Sequence, residues 1–318
     1  MKRRTLIKAL GLTLPIGPAF AQVGGSKPIR IIVPLSAGTP SDTAARVLAS
    51  KLATTLGQPV IVDNKPGANG VIAIQDLMRS PADGTTLLVG SVSFLAINVA
   101  LVKNLPYDPR RDLTPVAGVF TNNHAWCVHP ALPVRSVPEL IAYAKANPAK
   151  VKAGYVSSLV QLQLLAFEKM TGVEFLKVSY KSAATAATDL IGGTVDLSLL
   201  DMGSAIVQAK EGKVRVLATS PLKRSPLTPE WPAVSETVPG YDIASWVALV
   251  GPKGMSPSAA TTIGDATNRI LQQKDVVESL AKAGSTPWPL TPVQLQAHIG
   301  SEVSKFLTIA RDANLEPQ

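Results

Sequence analysis

The sequence predicts an α/β protein of two lobes, each a mostly parallel sheet flanked by helices, the two joined by extended crossing strands. Three observations carry this. Short β-rich runs alternate with helix-length segments from Ile29 to Val89, the pattern of right-handed parallel βαβ units. A second series of the same kind runs from Val151 to Thr219. Between the two series, the extended runs Val116–Phe120 and Trp126–Val128 flank the polar Thr121-Asn122-Asn123, as a crossing between lobes would.

In the first series Ile29–Val33 is a strand ended by Pro34. The helix that follows, through Leu56, puts Ala45, Leu48, Ala49 and Leu52 on one face, with Ser41 or Asp42 as its cap. Val60–Val62 is the second strand, Lys65–Gly70 a turn, and a helix then reaches about Arg79. Asp83-Gly84 turns into the strand Thr86–Val89.

The second series opens with a helix over Glu139–Ala146, which follows Ser136 and holds Pro138 in its first turn. Strand Val151–Tyr155, helix Val160–Met170 and strand Phe175–Val178 follow. Helix Ala183–Ile191 is stopped by Gly192-Gly193, and strand Val195–Leu200, helix Ile206–Glu211 and strand Val214–Thr219 complete the series. Pro221, Pro226, Pro229, Pro232 and Pro239 mark an irregular return to a strand at Ser245–Val250. Helices near Ala259–Gln273, Val276–Ala283 and Pro292–Ala313 close the chain. The expected lobes are therefore 22–121 with 227–318, and 122–226.

Residues 1–21 read as an export signal. Lys2, Arg3, Arg4 and Lys8 precede the apolar run Ala9–Pro18, and Ala19-Phe20-Ala21 offers a small-x-small cleavage site. The run is too short, and too broken by proline, to span a membrane. Arg3-Arg4-Thr5-Leu6-Ile7-Lys8 is similar to a twin-arginine signal, although an ordinary secretion signal also starts with basic residues.

This segment changes the meaning of the charge. The 318 residues carry 31 Lys+Arg against 22 Asp+Glu, a formal +9. Removing four basic and no acidic residues leaves 27 against 22, a formal +5. Beyond that segment no basic block exceeds the pairs Arg110-Arg111 and Lys223-Arg224, so no nucleic-acid partner is expected. With 46% apolar and 17% charged residues the chain is not a disordered one. A single cysteine excludes a disulfide framework and Cys-based metal sites.

Six loops follow strands and lead into helices: Pro34–Asp42, Lys65–Gly70 and Gly90–Phe94 in the first lobe, and Gly154–Ser158, Tyr180–Ser182 and Asp201–Ser204 in the second. Ligands of open α/β sheets sit beyond the carboxyl ends of strands. Free N–H groups and the positive end of the helix dipole there suit a carboxylate or phosphate. There is no GxSxG elbow, phosphate-binding GxxxxGK[ST], HExxH, or GxGxxG after the first strand, so no catalytic residue, metal or cofactor is expected. His124, His129 and Cys127 read as structural side chains. Asp201 follows an apolar strand at the cleft end and fits a helix cap or a ligand contact equally.

A set of short motifs, in order and spacing, carries a family resemblance. They are Lys27–Pro34, the loop ending in Asp42, Leu56–Val60, Asn64–Ala68, Asp83-Gly84, Asn104–Asp108 and Tyr180-Lys181. Asp189–Asp196, Ala218-Thr219-Ser220, Lys223–Pro226, Pro239-Gly240-Tyr241 and Trp246 complete them. From Lys27 to Pro317 the chain resembles the Bug-type solute-binding receptors of tripartite tricarboxylate transporters. The resemblance implies a periplasmic, two-lobed binding fold of the type II-like kind that closes on a small organic anion, commonly a carboxylate. It implies a monomer without cofactor whose partners are the transporter's membrane subunits. By position it implies a ligand site of Ser36, Ala37, Gly38, Thr39, Ser41 and Asp42 from the first loop and Ser91, Ser93 and Phe94 from the third, which runs from Ser91 to Asn98. Tyr155, Ser157, Ser158, Gln161 and Asp201 come from the second lobe.

The sequence departs from that pattern where ligand selection is decided. The usual second Gly of the first loop is Thr39, followed by Pro40, which has no N–H to donate. The second-lobe loop, usually Gly-Asn-Gly-Thr-Ser-Gln-His, is Val156–Leu162, and a His usual after the third strand is Leu95. Fewer polar partners point to an aromatic or longer aliphatic monocarboxylate rather than citrate. An alternative role is to present the ligand state to a membrane two-component kinase. A periplasmic hydrolase is a remote third, since no nucleophile–base pair is visible.

Overall fold

The computed structural model describes residues 27–317, and the expected export signal, 1–21, lies outside them. Alternating strands and helices build a first unit from Ile29–Val33 (β1), Pro40–Leu56 (α1), Val60–Asn64 (β2), Val71–Met78 (α2) and Thr86–Ser91 (β3). Two short helices, Asn98–Leu101 (α3) and Pro109–Asp112 (α4), lead into Leu113–Thr121 (β4). The second unit comprises His124–Val128 (β5), Val137–Ala146 (α5), Lys152–Tyr155 (β6), Ser158–Thr171 (α6) and Leu176–Ser179 (β7). Ala183–Ile191 (α7), Leu197–Asp201 (β8), Met202–Lys210 (α8) and Arg215–Thr219 (β9) complete it. The chain ends with Trp246–Pro252 (β10), Pro257–Ile270 (α9), Lys274–Lys282 (α10), Thr286–Pro287 (β11) and Pro292–Asp312 (α11).

The strands form two sheets, ordered β11-β4-β10-β3-β1-β2 and β7-β6-β8-β5-β9. In each, three strands run parallel, and one strand that arrives from the other sheet is inserted antiparallel: β10 between β3 and β4, β5 between β8 and β9. The two crossings are tied together, since the Asn122 N–H donates to Ser245 O at 3.1 Å and Trp246 pairs with Thr121. This is the expected α/β clamshell of two mostly parallel sheets.

Three apolar clusters hold it. One lies between the first sheet and α1 and α9, through Leu48, Leu52, Val89, Leu249 and Ile263. A smaller one packs Leu190 and Ala205 on the second sheet. The largest runs without a break from Ile32 and Leu88 through Phe94, Leu162 and Phe306 to Trp126, Phe167 and Tyr241, so it joins both sheets. Each of these fully enclosed large side chains stabilises the fold by about 2–3 kcal/mol. The return segment stays with the second sheet as far as Ile243: Tyr241 lies edge-on to Trp126 and Phe167, and Gln163 Nε2 donates to Ile243 O at 2.7 Å.

Several local expectations are corrected. The cap of α1 is Thr39, whose hydroxyl accepts from Asp42 N–H, because Pro40 at the first helical position moves the start two residues earlier. The helix after β8 starts at Met202, not Ile206, because the Asp201 carboxylate accepts from Ser204 N–H at 2.9 Å and nucleates it at once. The expected loop Gly90–Phe94 is the end of β3 followed by a wide helical turn, in which the Asn98 N–H reaches back to Ser93 O.

Candidate functional site

The first loop is braced from within. Asp42, 2% exposed, accepts from Gly38 N–H at 2.9 Å, from Arg46 Nε at 3.0 Å and from Asn64 Nδ2 at 3.0 Å. Asn64 also donates to Leu35 O, and Thr39 Oγ1 donates to Ser36 O. The Arg46 guanidinium, with the Gly38 and Asn64 donors, holds the Asp42 carboxyl down at about 2. It is a buried anion with three protein donors on its two oxygens.

The third loop is held by a buried network. Asn98 Nδ2 donates to Asn69 O at 2.8 Å and to Tyr107 Oη at 3.0 Å, and Tyr107 Oη donates to Phe94 O at 2.8 Å. Burial pushes the Tyr107 phenol up to about 12, so it remains a donor throughout the neutral range. The network locks the second and third loops of the first sheet to each other.

Across the cleft, α6 points its N-terminus at these loops. Ser157 caps it by accepting from Val160 N–H, and the N–H groups of Ser158 and Leu159 have no intrahelical partner. They form the positive end of a 14-residue helix.

A cavity of about 540 Å³ opens between these parts. Leu35, Asn69, Ser91, Ser93, Phe94, Ile97 and Asn98 line it from the first sheet's side, Ser157, Ser158 and Gln161 from α6, and Leu315 and Glu316 from the C-terminal tail. Among these lining residues only Glu316 carries a charge. A smaller cavity of about 170 Å³ lies at the carboxyl edge of the second sheet, lined by His124, Val156, Asp201, Ser204 and alanines of α7.

The expected site residues therefore divide. Ser91, Ser93, Phe94, Ser157, Ser158 and Gln161 share the large cavity, and Asp201 lines the small one. Gly38 faces a separate space between α1 and α10. Ser36 and Ala37 are exposed, Ser41 and Asp42 are buried, and Thr39 and Tyr155 are half-buried, none of them on the walls of either cavity. Ile97 and Asn98 lie at the end of the third loop that the resemblance points to, whereas Leu35, Asn69, Leu315, Glu316 and His124 are lining residues not expected there. Of these, Asn69 has a local signal, an amide in the small-residue turn Gly67–Gly70 after β2. The tail residues reach the cavity by a tertiary path that no local pattern records.

Comparison with known proteins places this geometry. The family model of the tripartite tricarboxylate transporter family receptor matches residues 44–315. The protein BugT of Bordetella pertussis is 35% identical over 93% of this chain and 92% of its own length. A Rhodopseudomonas palustris protein solved with adipate is 30% identical, covers 93% of this chain and all of its own, and superposes with a TM-score of 0.77. MatC from the same organism, solved with bound malate, is 28% identical over 88% of this chain and 98% of its own, with a TM-score of 0.71. With its two cross-linked sheets and a cleft between strand ends, the chain belongs to the receptor family of the tripartite tricarboxylate transporters.

Proposed function

We propose that this receptor is exported by the signal at residues 1–21, through the general or the twin-arginine route, and works as a periplasmic monomer. It closes its lobes on a small organic carboxylate and hands it to the membrane subunits of a tripartite tricarboxylate-type transporter. One observation carries the ligand class: Ser158, whose N–H is free at the start of α6, lines the same cavity as Ser91 and Ser93, and no residue of that lining is a cation. The bound adipate and malate of the two related structures support the same class. The carboxylate is held by Ser158 and Leu159 N–H, by Ser91, Ser93 and Ser157 hydroxyls and by bridging water, which supplies charge-assisted hydrogen bonds without a formal ion pair. Phe94, Ile97 and Leu315 receive the apolar body of the ligand.

Asp42 and Thr39 act as positioning residues that shape the first loop. In this reading the first lobe takes residues 27–121 with 244–317 and the second takes 122–243. The contacts of Tyr241 and Ile243 with α6 and β5 support a second boundary later than the 226 read from the sequence. Contacts from both lobes favour the closed form, so ligand shifts an open–closed equilibrium.

Calorimetric titration with hexanoate, adipate, malate, citrate and inorganic phosphate tests the class. The carboxylates with apolar bodies bind, and Ser157→Asp weakens that binding. Asp retains the α6 cap, so the unfolding midpoint moves by no more than about 2 °C. Its charge occupies the anion seat, so affinity falls about a hundredfold or more. Binding of none of the carboxylates, or full binding by the variant, overturns the reading. In cells, loss of uptake without the receptor supports transport; intact uptake with lost ligand-induced transcription replaces it with sensing.

A further inference from the structure

The small cavity in the second lobe has a polar end whose chemistry can be worked out atom by atom. His124 and Asp201 are directly opposite each other in the antiparallel pair β5–β8, so their side chains stand on one face. Both line the cavity with Ser204, against an apolar wall of Val156, Ala183 and Ala187.

Gln163 decides the His124 tautomer. Its Nε2 donates to Ile243 O at 2.7 Å, and a carbonyl can only accept, so its Oε1 is the atom 3.0 Å from His124 Nδ1. That oxygen also can only accept, so His124 Nδ1 carries the proton and Nε2 is left with a lone pair. Burial pushes the imidazole below its ordinary range, against the pull of Asp201, so the ring is neutral at pH 7. One Asp201 oxygen accepts from Ser204 N–H at 2.9 Å; no protein donor engages the other among the described residues. Apart from the Ser204 hydroxyl, which can donate or accept, the polar end is a pair of acceptors, one of them a carboxylate.

We infer that this cavity, whose wall residue Val156 directly precedes Ser157 and Ser158 of the large one, takes the far end of the ligand and selects a hydrogen-bond donor there, a hydroxyl or an ammonium, in preference to a second carboxylate. The inference rests on the carboxylate-receptor reading and names the ligand class more narrowly: an acid whose apolar body ends in a donor. A hydroxyl gives its proton to His124 Nε2 or Asp201, whereas a second carboxylate offers no proton and meets the Asp201 charge.

Length-matched ligands test this on the full receptor. Hexanoate, 6-hydroxyhexanoate, 6-aminohexanoate and adipate are titrated by calorimetry, with benzoate, 4-hydroxybenzoate and terephthalate as a rigid set. In at least one set the donor-ended acid binds about tenfold or more tighter than its dicarboxylate. Asp201→Asn keeps an oxygen to cap α8 and adds an N–H₂ donor, so the order reverses: the dicarboxylate gains and the donor-ended acid weakens. That reversal separates a ligand contact from a purely capping role, which would leave the order unchanged. If none of the acids binds, the carboxylate-receptor reading itself fails. If they bind but the dicarboxylates equal or exceed the donor-ended acids in both sets, or the variant keeps the wild-type order, the subsite inference is overturned while the parent reading stands.

Discussion

Three donors converge on Asp42, and their sum fixes both its protonation and the shape of the first loop. Its carboxyl sits at about 2, against an ordinary 3.8, chiefly through the Arg46 hydrogen bond. A depressed acid stabilises the folded state above its unfolded pKa and loses that contribution as pH falls through the folded one. Asp42 therefore contributes roughly 2 kcal/mol at neutral pH, and that contribution fades between about pH 4 and pH 2. Asp42→Asn should lower the unfolding free energy by about that amount at pH 7, with the difference from wild type shrinking towards pH 2. Chemical denaturation at pH 7, 4 and 2.5 measures it; a pH-independent difference would remove the carboxylate from the account. Ligand affinity should also fall, through loss of loop shape rather than of a contact.

At the scale of elements, the segment 93–101 shows why a site is harder to read than a fold. It carries Ser93, Phe94, Ile97 and Asn98 into the cavity, yet it has no capping side chain, and its first turn is wide. Its order comes from Tyr107, a residue beyond its own end. Tyr107→Phe keeps the ring in its apolar setting and removes only the hydroxyl. It should cost about 1–3 kcal/mol and speed amide exchange across 93–98 while leaving β3 protected. Uniform exchange would mean that the turn is held by packing alone.

The same contrast runs through the chain. Elements with a local signal, such as α7 between Ser182 and Gly192 or α5 after Ser136, were legible within two residues. The start of α8 was not, because Met202 and Gly203 look like a loop until Asp201 is seen to cap them. The two-residue β11 carries no periodicity at all. At the candidate site, the helix-terminus argument points to the hydroxyls at strand ends, and Ser91, Ser93, Ser157 and Ser158 share the large cavity. The first loop differs: donors 4 and 22 residues away hold the Asp42 carboxylate inside the loop, off the walls of the large cavity.

For the whole molecule the question is what the two lobes do to each other. Each sheet contains a strand delivered by the other unit, and one apolar cluster runs through both, so the lobes are coupled at the crossings. Where they meet beside the hinge, Gly284, between α10 and β11, approaches Gly203 in the first turn of α8. Gly284 has φ +70, and a Cβ there would stand against the Gly203 backbone nitrogen. Backbone cannot rotate aside as a side chain can, so the cheapest relief for Gly284→Ala is separation of the lobes at this contact. The left-handed conformation adds a local cost of about 1 kcal/mol, small beside the stability of either core. The variant should therefore fold with nearly the wild-type unfolding midpoint and bind carboxylates about tenfold more weakly, the loss equal to the energy needed to restore closure. Small-angle scattering with saturating ligand should show a larger radius of gyration than wild type. Wild-type affinity and radius together would show that closure does not pass through this contact, and the loops at the strand ends would then have to carry it alone.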